Sequence, residues 1–232
     1  MKPGPGFLVA LVGADGAGKS TITELVARRL PMPASRAYLG DDPPPEVPVL
    51  PTTRWLRRRW AEPASGSPAT TTLPPPAPES AAETWAVRFR RALSRTTVGL
   101  SAMAEEWHQV RRAQARVRAG EIVLLDRHFF YDYYFHHVVV RAPVFIDRVH
   151  GRWVARVLPR PELVICLDAP AEVLYQRQPE GTFAQRVVRR SEYLRMADAV
   201  GLQIIDATRP RDEVVDDVTR LVLAAAEHPG KP

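Results

Sequence analysis

Eight consecutive residues near the amino terminus, Gly13-Ala14-Asp15-Gly16-Ala17-Gly18-Lys19-Ser20, are followed by Thr21. Their spacing is G-x-x-x-x-G-K-[ST], the pattern of a phosphate-binding loop. Glycines let backbone N–H groups turn inward around a triphosphate. Lys19 reaches its outer phosphates, and the Ser20 hydroxyl can ligate magnesium. Lys2 and Lys231 are the only other lysines, both at the extremes of the sequence, so Lys19 stands alone within it.

Asp126-Arg127-His128 forms a second constellation. A carboxylate just beyond a strand at the phosphate-loop edge can hold magnesium through water, and an arginine can bridge transferred phosphate oxygens. A third group is Arg177, Arg186, Arg189 and Arg190, around Pro179-Glu180-Gly181. On a helix Arg186 shares a face with Arg189 and Arg190, so their guanidinium groups can converge on one anion as a lid over residues 176–190. The aromatic run Phe129 to Phe135 could stack an acceptor base or ring, but core packing and helix contacts are the favoured expectation. Adjacent His136 and His137 point apart on a helix or a strand, which argues against a metal pair.

The elements that position these groups follow from hydrophobic patterning. Phe7 to Val12 is a continuous apolar run suited to a strand buried on both faces, and Ser20 to Leu30 has helical spacing that Pro31 stops. Strand, glycine loop and helix is the order the motif requires. Further buried strands are predicted at Ile122 to Leu125, Leu163 to Leu167 and Leu202 to Ile205, and a shorter one at Arg36 to Leu39. A long helical region runs from about Ser80 to Ala119, with Gly120 ending it as a C-cap, and Asp212 to Glu227 closes the chain as an amphipathic helix. Thirteen of the 23 prolines fall between Pro31 and Thr84. That segment reads as a proline-rich insert, with a surface helix near Thr52 to Trp60. Buried strands alternating with helices predict a parallel sheet covered on both faces, with ligands beyond the carboxyl ends of its strands.

Composition narrows the function classes. The chain has 232 residues, 45% hydrophobic and 25% charged, which is globular and suited to one substantial domain. No apolar run approaches the roughly 18 residues of a membrane span. With no secretory pattern at the start and a single cysteine, Cys166, in an apolar run, a cytoplasmic location is expected. The net charge of +6 comes with 29 Arg, 3 Lys and no Asn, a skew that reads as base composition rather than as a nucleic-acid or membrane partner. Without asparagine the chain also lacks an Asn-Lys-x-Asp guanine reader, which excludes a GTPase switch of that kind.

Taken together, Phe7 to Leu30, Gly120 to His128, Pro161 to Ala197 and Ile205 to Val215 resemble the thymidylate kinase family and its nucleoside and nucleotide kinase relatives. The resemblance implies an α/β P-loop NTPase fold: a five-stranded parallel sheet with helices on both faces, an ATP donor, Mg2+ and an arginine-bearing lid. Residues 1–232 would be a single kinase domain carrying the insert at 31–84. Asp15 matches an acid near the acceptor sugar. Gly16 matches members that draw a catalytic arginine from the lid, which points to Arg177 and Arg186. The catalytic set is then Asp15, Lys19, Asp126, Arg127, Arg177 and Arg186. ATP is held by Gly13, Gly16, Ala17, Gly18, Lys19, Ser20 and Thr21, with Asp206 in an adenine-side turn, and Mg2+ by Ser20 and Asp126. His108 matches a family histidine. Three residues earlier, Glu105 stands where the family has an arginine for the acceptor's monophosphate, and the family's Arg-Glu-Pro-Gly segment is replaced by Gly40-Asp41-Asp42 and the insert. The resemblance implies a thymidylate-like acceptor and a homodimer. Glu105 and the insert raise the alternative of a nucleoside, sugar or natural-product hydroxyl as acceptor, whose proton Asp15 or Asp126 would take; a non-catalytic ATP-binding module is a separate alternative.

Overall fold

The structure is a computed structural model describing residues 6–39, 104, 105, 107–128 and 159–227, except the side chains of Leu39, Arg127 and His128. The chain forms two compact units, Met1–Gly40 with Val110–Pro232, and Asp41–Gln109. In the second unit, residues 104, 105 and 107–109 are described, and all are helical. The expected helix at 52–60, the aromatic run at 129–135, His136, His137 and most of the proline-rich segment lie outside the described residues.

In the first unit the elements are β1 (Leu8–Val12), α1 (Lys19–Arg29), β2 (Ala34–Leu39), α2 (helical over 110–118), β3 (Ile122–His128), β4 (Leu163–Asp168), α3 (Ala171–Arg177), α4 (Phe183–Val200), β5 (Gln203–Asp206) and α5 (Arg211–Glu227). All five residues of β1 are buried, as expected of a strand covered on both faces. Gly120, at φ 87°, follows α2 in the left-handed conformation of a helix stop.

The five strands form one parallel sheet in the order β2-β3-β1-β4-β5. Alternation along the strands sorts the core into two layers. Val9, Leu11, Ile122 and Leu124 pack with Ile22 and Val26 of α1 and with Val215, Val218 and Val222 of α5. Leu8, Ala10, Val123 and Leu125 pack with Val110 and Ala113 of α2. Helices therefore cover both faces, and the architecture is that of an α/β P-loop NTPase. Each fully buried aliphatic side chain contributes roughly 1.5–3 kcal/mol. An exposed ion pair such as Arg209 with Asp217 contributes about 1 kcal/mol or less. The sheet, rather than the charged surface, fixes where the functional groups stand. No helix of the described residues is long and apolar enough to cross a membrane.

The strand order places a site. From β1 the chain builds β2 and β3 on one side and β4 and β5 on the other, so direction reverses at β1, and ligands bind beyond such a switch point. Leu11 pairs with Asp126 and Val12 with Cys166, which brings the loop after β1, Asp126 and Asp168 to the same carboxyl edge.

Candidate active site

The loop from Gly13 to Gly18 is held by close approach to its neighbours. A Cβ on Gly13 would fall 2.3 Å from the Leu167 carbonyl oxygen, and one on Gly16 would fall 2.4 Å from that of Leu174 in α3. Both glycines have positive φ, 142° and 91°, which favours the absence of a side chain. Gly18 is the N-cap of α1 and supplies no side-chain oxygen to it. The first amides of a helix lack partners one turn earlier and form an anion site at its positive end. Lys19 is buried, with Nζ donating to the carbonyls of Gly13 at 2.8 Å and Ala14 at 3.0 Å, and lying 3.9 Å from Asp15 Oδ1. Thr23 Oγ1 donates to the carbonyls of Lys19 and Ser20, bracing the first turn. Ser20 and Thr21 are exposed at the helix start.

Across from this loop stands the segment from α3 to α4. Thr182 caps α4 in a capping box: Gln185 N donates to Thr182 Oγ1 at 3.2 Å, and Thr182 N donates to Gln185 Oε1 at 2.9 Å. A cap of this kind contributes about 1 kcal/mol and sets where the helix begins. It thereby fixes Arg186 in the first turn. Arg186, 6% exposed, donates through Nη2 to the carbonyls of Gln178 and Glu180 and through Nη1 to Asp15 Oδ2 at 3.3 Å. Its Nε is buried with no hydrogen-bond partner among the described residues. Arg190, one turn on, donates to both oxygens of Asp168, Nε to Oδ1 at 2.9 Å and Nη2 to Oδ2 at 2.8 Å. Those bonds hold the Arg190 guanidinium above its ordinary pKa. Tyr193 and Ala197 continue the same face into the core.

Arg177 goes elsewhere. Its Nη2 donates to the Ala207 carbonyl at 3.0 Å, in the turn after β5. In that turn Asp206 Oδ1 accepts from Thr208 Oγ1 at 2.6 Å and Thr208 N at 2.8 Å, bonds that lower the Asp206 pKa below its ordinary value.

Asp126 occupies the third corner. It follows Ile122 and Leu124 at period two and so lies on the sheet face that α1 covers. The side chain is 1% exposed; Oδ2 accepts from Arg36 Nη2 at 2.8 Å, and Oδ1 has no partner among the described residues. A buried carboxylate oxygen without a donor is a fitting ligand for a cation or for water on one, and Ser20 opens the helix on that same face. Among the described residues no cluster of three or more acidic, histidine or cysteine side chains could cage a metal. Mg2+ needs no such cage where nucleotide phosphates supply most of its ligands.

Cys166 lies in β4 beside Val12. Burial chiefly, aided by the negative charge of Asp168 and opposed by Lys19, pushes its thiol up to about 12. It stays protonated and inert near neutral pH.

Of the expected residues, the structure brings Asp15, Lys19 and Arg186 together and sets Ser20, Thr21 and Asp126 at the same sheet edge. It pairs Arg177 with the Asp206-Ala207 turn. Arg127 lies in β3 with its side chain outside the described set. Sequence reasoning did not find Arg36, nor Asp168 as the partner of Arg190. A charge inside a strand-like segment was the one available signal for Arg36. Glu105 is buried, and its Oε1 accepts from Gln109 Nε2 at 3.2 Å.

No family model matches the chain. A probable thymidylate kinase of Pyrobaculum calidifontis is 27% identical over 225 residues, covering 93% of this chain and 95% of the relative. One from Pyrobaculum aerophilum is 28% identical, covering 92% and 95%. The uncharacterized ATP-binding protein YghR of Escherichia coli K12 is 26% identical, covering 94% and 88%. Over most of its length the chain is thus similar to proteins named as probable thymidylate kinases, and its parallel sheet and glycine loop agree with a P-loop fold.

Proposed function

We propose that the protein transfers the terminal phosphoryl group of ATP to a small-molecule acceptor. One observation carries this reading above the rest. Arg186, 171 residues from Asp15 in sequence, is buried against the phosphate loop beside Lys19 with its Nε donor unspent. Two cations at one loop suit the charge spread over a phosphoryl group in flight, where catalysis is positioning and electrostatic stabilisation.

The backbone amides from Gly13 to Thr21, with Ala17 among them, cradle the donor phosphates, and Lys19 binds the outer ones. Arg186 stabilises the group being transferred, and we assign Arg127 and Arg177 supporting roles. The Asp206 turn, closed by Arg177 on Ala207, receives the base. Ser20 and Asp126 would hold Mg2+, which when bound shares the negative charge of the phosphate oxygens. Closure of residues 176–190 excludes water and so suppresses hydrolysis.

For the acceptor we propose a thymidylate-like nucleoside monophosphate, a reading supported by the names of the two Pyrobaculum relatives. Glu105 favours a second reading. An acid in place of a phosphate-binding arginine repels a dianion, so the acceptor would be the hydroxyl of a nucleoside, sugar or natural product, and Asp15 or Asp126 would take its proton. A homodimer is part of the proposal by resemblance; nucleic acid and membrane are not.

The test is Mg2+-dependent ADP release from ATP with thymidylate, thymidine, other monophosphates and sugars. Stimulation by thymidylate supports the first reading, and stimulation by uncharged alcohols alone supports the second. ATP binding without stimulation by any member would replace both with a non-catalytic ATP-binding module.

A further inference from the structure

Arg36 belongs to neither the phosphate loop nor the lid. It sits in β2, at one end of the described sheet, where its carbonyl accepts from Arg116 Nη1 at 3.0 Å and so ties the strand to α2. Arg36 pairs with Leu124, two residues short of Asp126 on the neighbouring strand. Two residues of strand span roughly 6.6 Å, a length an extended arginine covers. Its Nη2 reaches Asp126 Oδ2 at 2.8 Å, and among the described residues the guanidinium has no other partner.

Two acids at the same sheet edge are treated differently. Asp168 has both oxygens engaged by Arg190. Asp126 is far more buried, yet Arg36 engages one oxygen and leaves Oδ1 unpartnered among the described residues. A carboxylate taken out of water needs a counter-charge, and a bidentate arginine would occupy both of its oxygens. A single bond from Arg36 meets the first need without the second.

We propose that Arg36 is a positioning residue for the metal: it fixes the Asp126 carboxylate in rotamer through Oδ2 while leaving Oδ1 available to the Mg2+ of the bound nucleotide. The inference rests on the phosphoryl-transfer reading and assigns Arg36 no contact with substrate.

The test titrates Mn2+ into the full-length protein with ADP, followed by electron paramagnetic resonance, for wild type, Arg36→Lys and Arg36→Gln. Removing a residue that orients a metal ligand typically weakens affinity by about 10–100-fold, the loss expected for Arg36→Gln. Arg36→Lys keeps the charge with poorer geometry and should fall between. ADP affinity in EDTA should change by no more than about twofold, since the loop contacts are remote from the substitution. A folded Arg36→Gln protein with wild-type Mn2+ affinity, or with metal-free ADP binding lost in parallel, would overturn the proposal. Should Arg36→Gln fail to fold, Arg36→Lys decides, and Mn2+ affinity equal to wild type overturns it. Wild-type protein that binds no Mn2+ with ADP would overturn the phosphoryl-transfer reading, and the Arg36 role with it.

Discussion

Of the arginine–acid pairs at the carboxyl edge of the sheet, Arg186 with Asp15 and Arg36 with Asp126 divide the work in opposite ways. At the lid, the arginine is the buried partner: Arg186 is fastened by two backbone carbonyls, while Asp15 is partly exposed and also lies near Lys19. At β2, the acid is the buried partner: Asp126 is enclosed, and Arg36 remains 34% exposed. Burial raises the cost of leaving a group unsatisfied, so each pair spends its rigidity on the side chain that must be ready for a ligand. Arg186 keeps a donor in reserve, which suits an anion. Asp126 keeps an acceptor in reserve, which suits a cation. A nucleotide bound with its metal brings both.

The comparison breaks most readily at Arg186. Arg186→Ala should lower acceptor-stimulated ADP release by about 10²–10³-fold, the usual consequence of removing one preorganised charge-stabilising donor. Arg190→Ala, which breaks the part-buried bidentate pair with Asp168, should cost about 1–3 kcal/mol of stability and leave the rate nearly intact. Equal losses of rate in the two variants would show that the lid arginines act as a general basic surface. Next in size is Gly16→Ala. The new methyl would meet the Leu174 carbonyl at a positive φ, and the strain should cost about 1–3 kcal/mol in urea denaturation. Wild-type stability there would mean that α3 does not press on the loop. The smallest effect expected is the pH response of the Asp206 turn. Because Thr208 lowers its folded pKa, Asp206 contributes its stabilisation fully above the ordinary value of about 3.9, and that contribution disappears as pH falls through the lowered value. Asp206→Asn should therefore flatten the acid limb of a stability–pH profile slightly, and an unchanged limb would count against the Thr208 bonds.

The parts of this site that are local in sequence were legible before the fold. Strand, glycine loop and helix are contiguous from Leu8 to Arg29, and the run of buried residues in β1 can be read directly. Asp126 was legible because it follows the apolar run Ile122 to Leu125, although the strand does not stop there as expected but continues to His128. The pairings were not. Arg36 meets Asp126 across 90 residues and Arg186 meets Asp15 across 171, and each depends on strand order and helix start, which patterning does not fix. Boundaries moved where hydrophobicity is a poor guide. β2 begins at Ala34 rather than Arg36, because its pairing with Ile122 and Val123 runs through Ala34 and Ser35. β5 is shifted to Gln203–Asp206 as an end strand of the sheet, with Ile204 49% exposed, so its apolar run did not mark its ends. The Arg177 pairing with Ala207 was likewise invisible, since a guanidinium in so arginine-rich a chain carries no local sign of its partner.

The central claim is that Lys19 and Arg186 at one phosphate loop make this protein a phosphotransferase. The most direct test compares wild type with Lys19→Ala for Mg2+-dependent ADP release from ATP, with and without the most effective acceptor of the panel. The account predicts acceptor-stimulated release in wild type and a loss of about 10²-fold or more in Lys19→Ala, as for removal of a main charge-stabilising group. Release that is the same in both proteins, or that no acceptor raises, would contradict it.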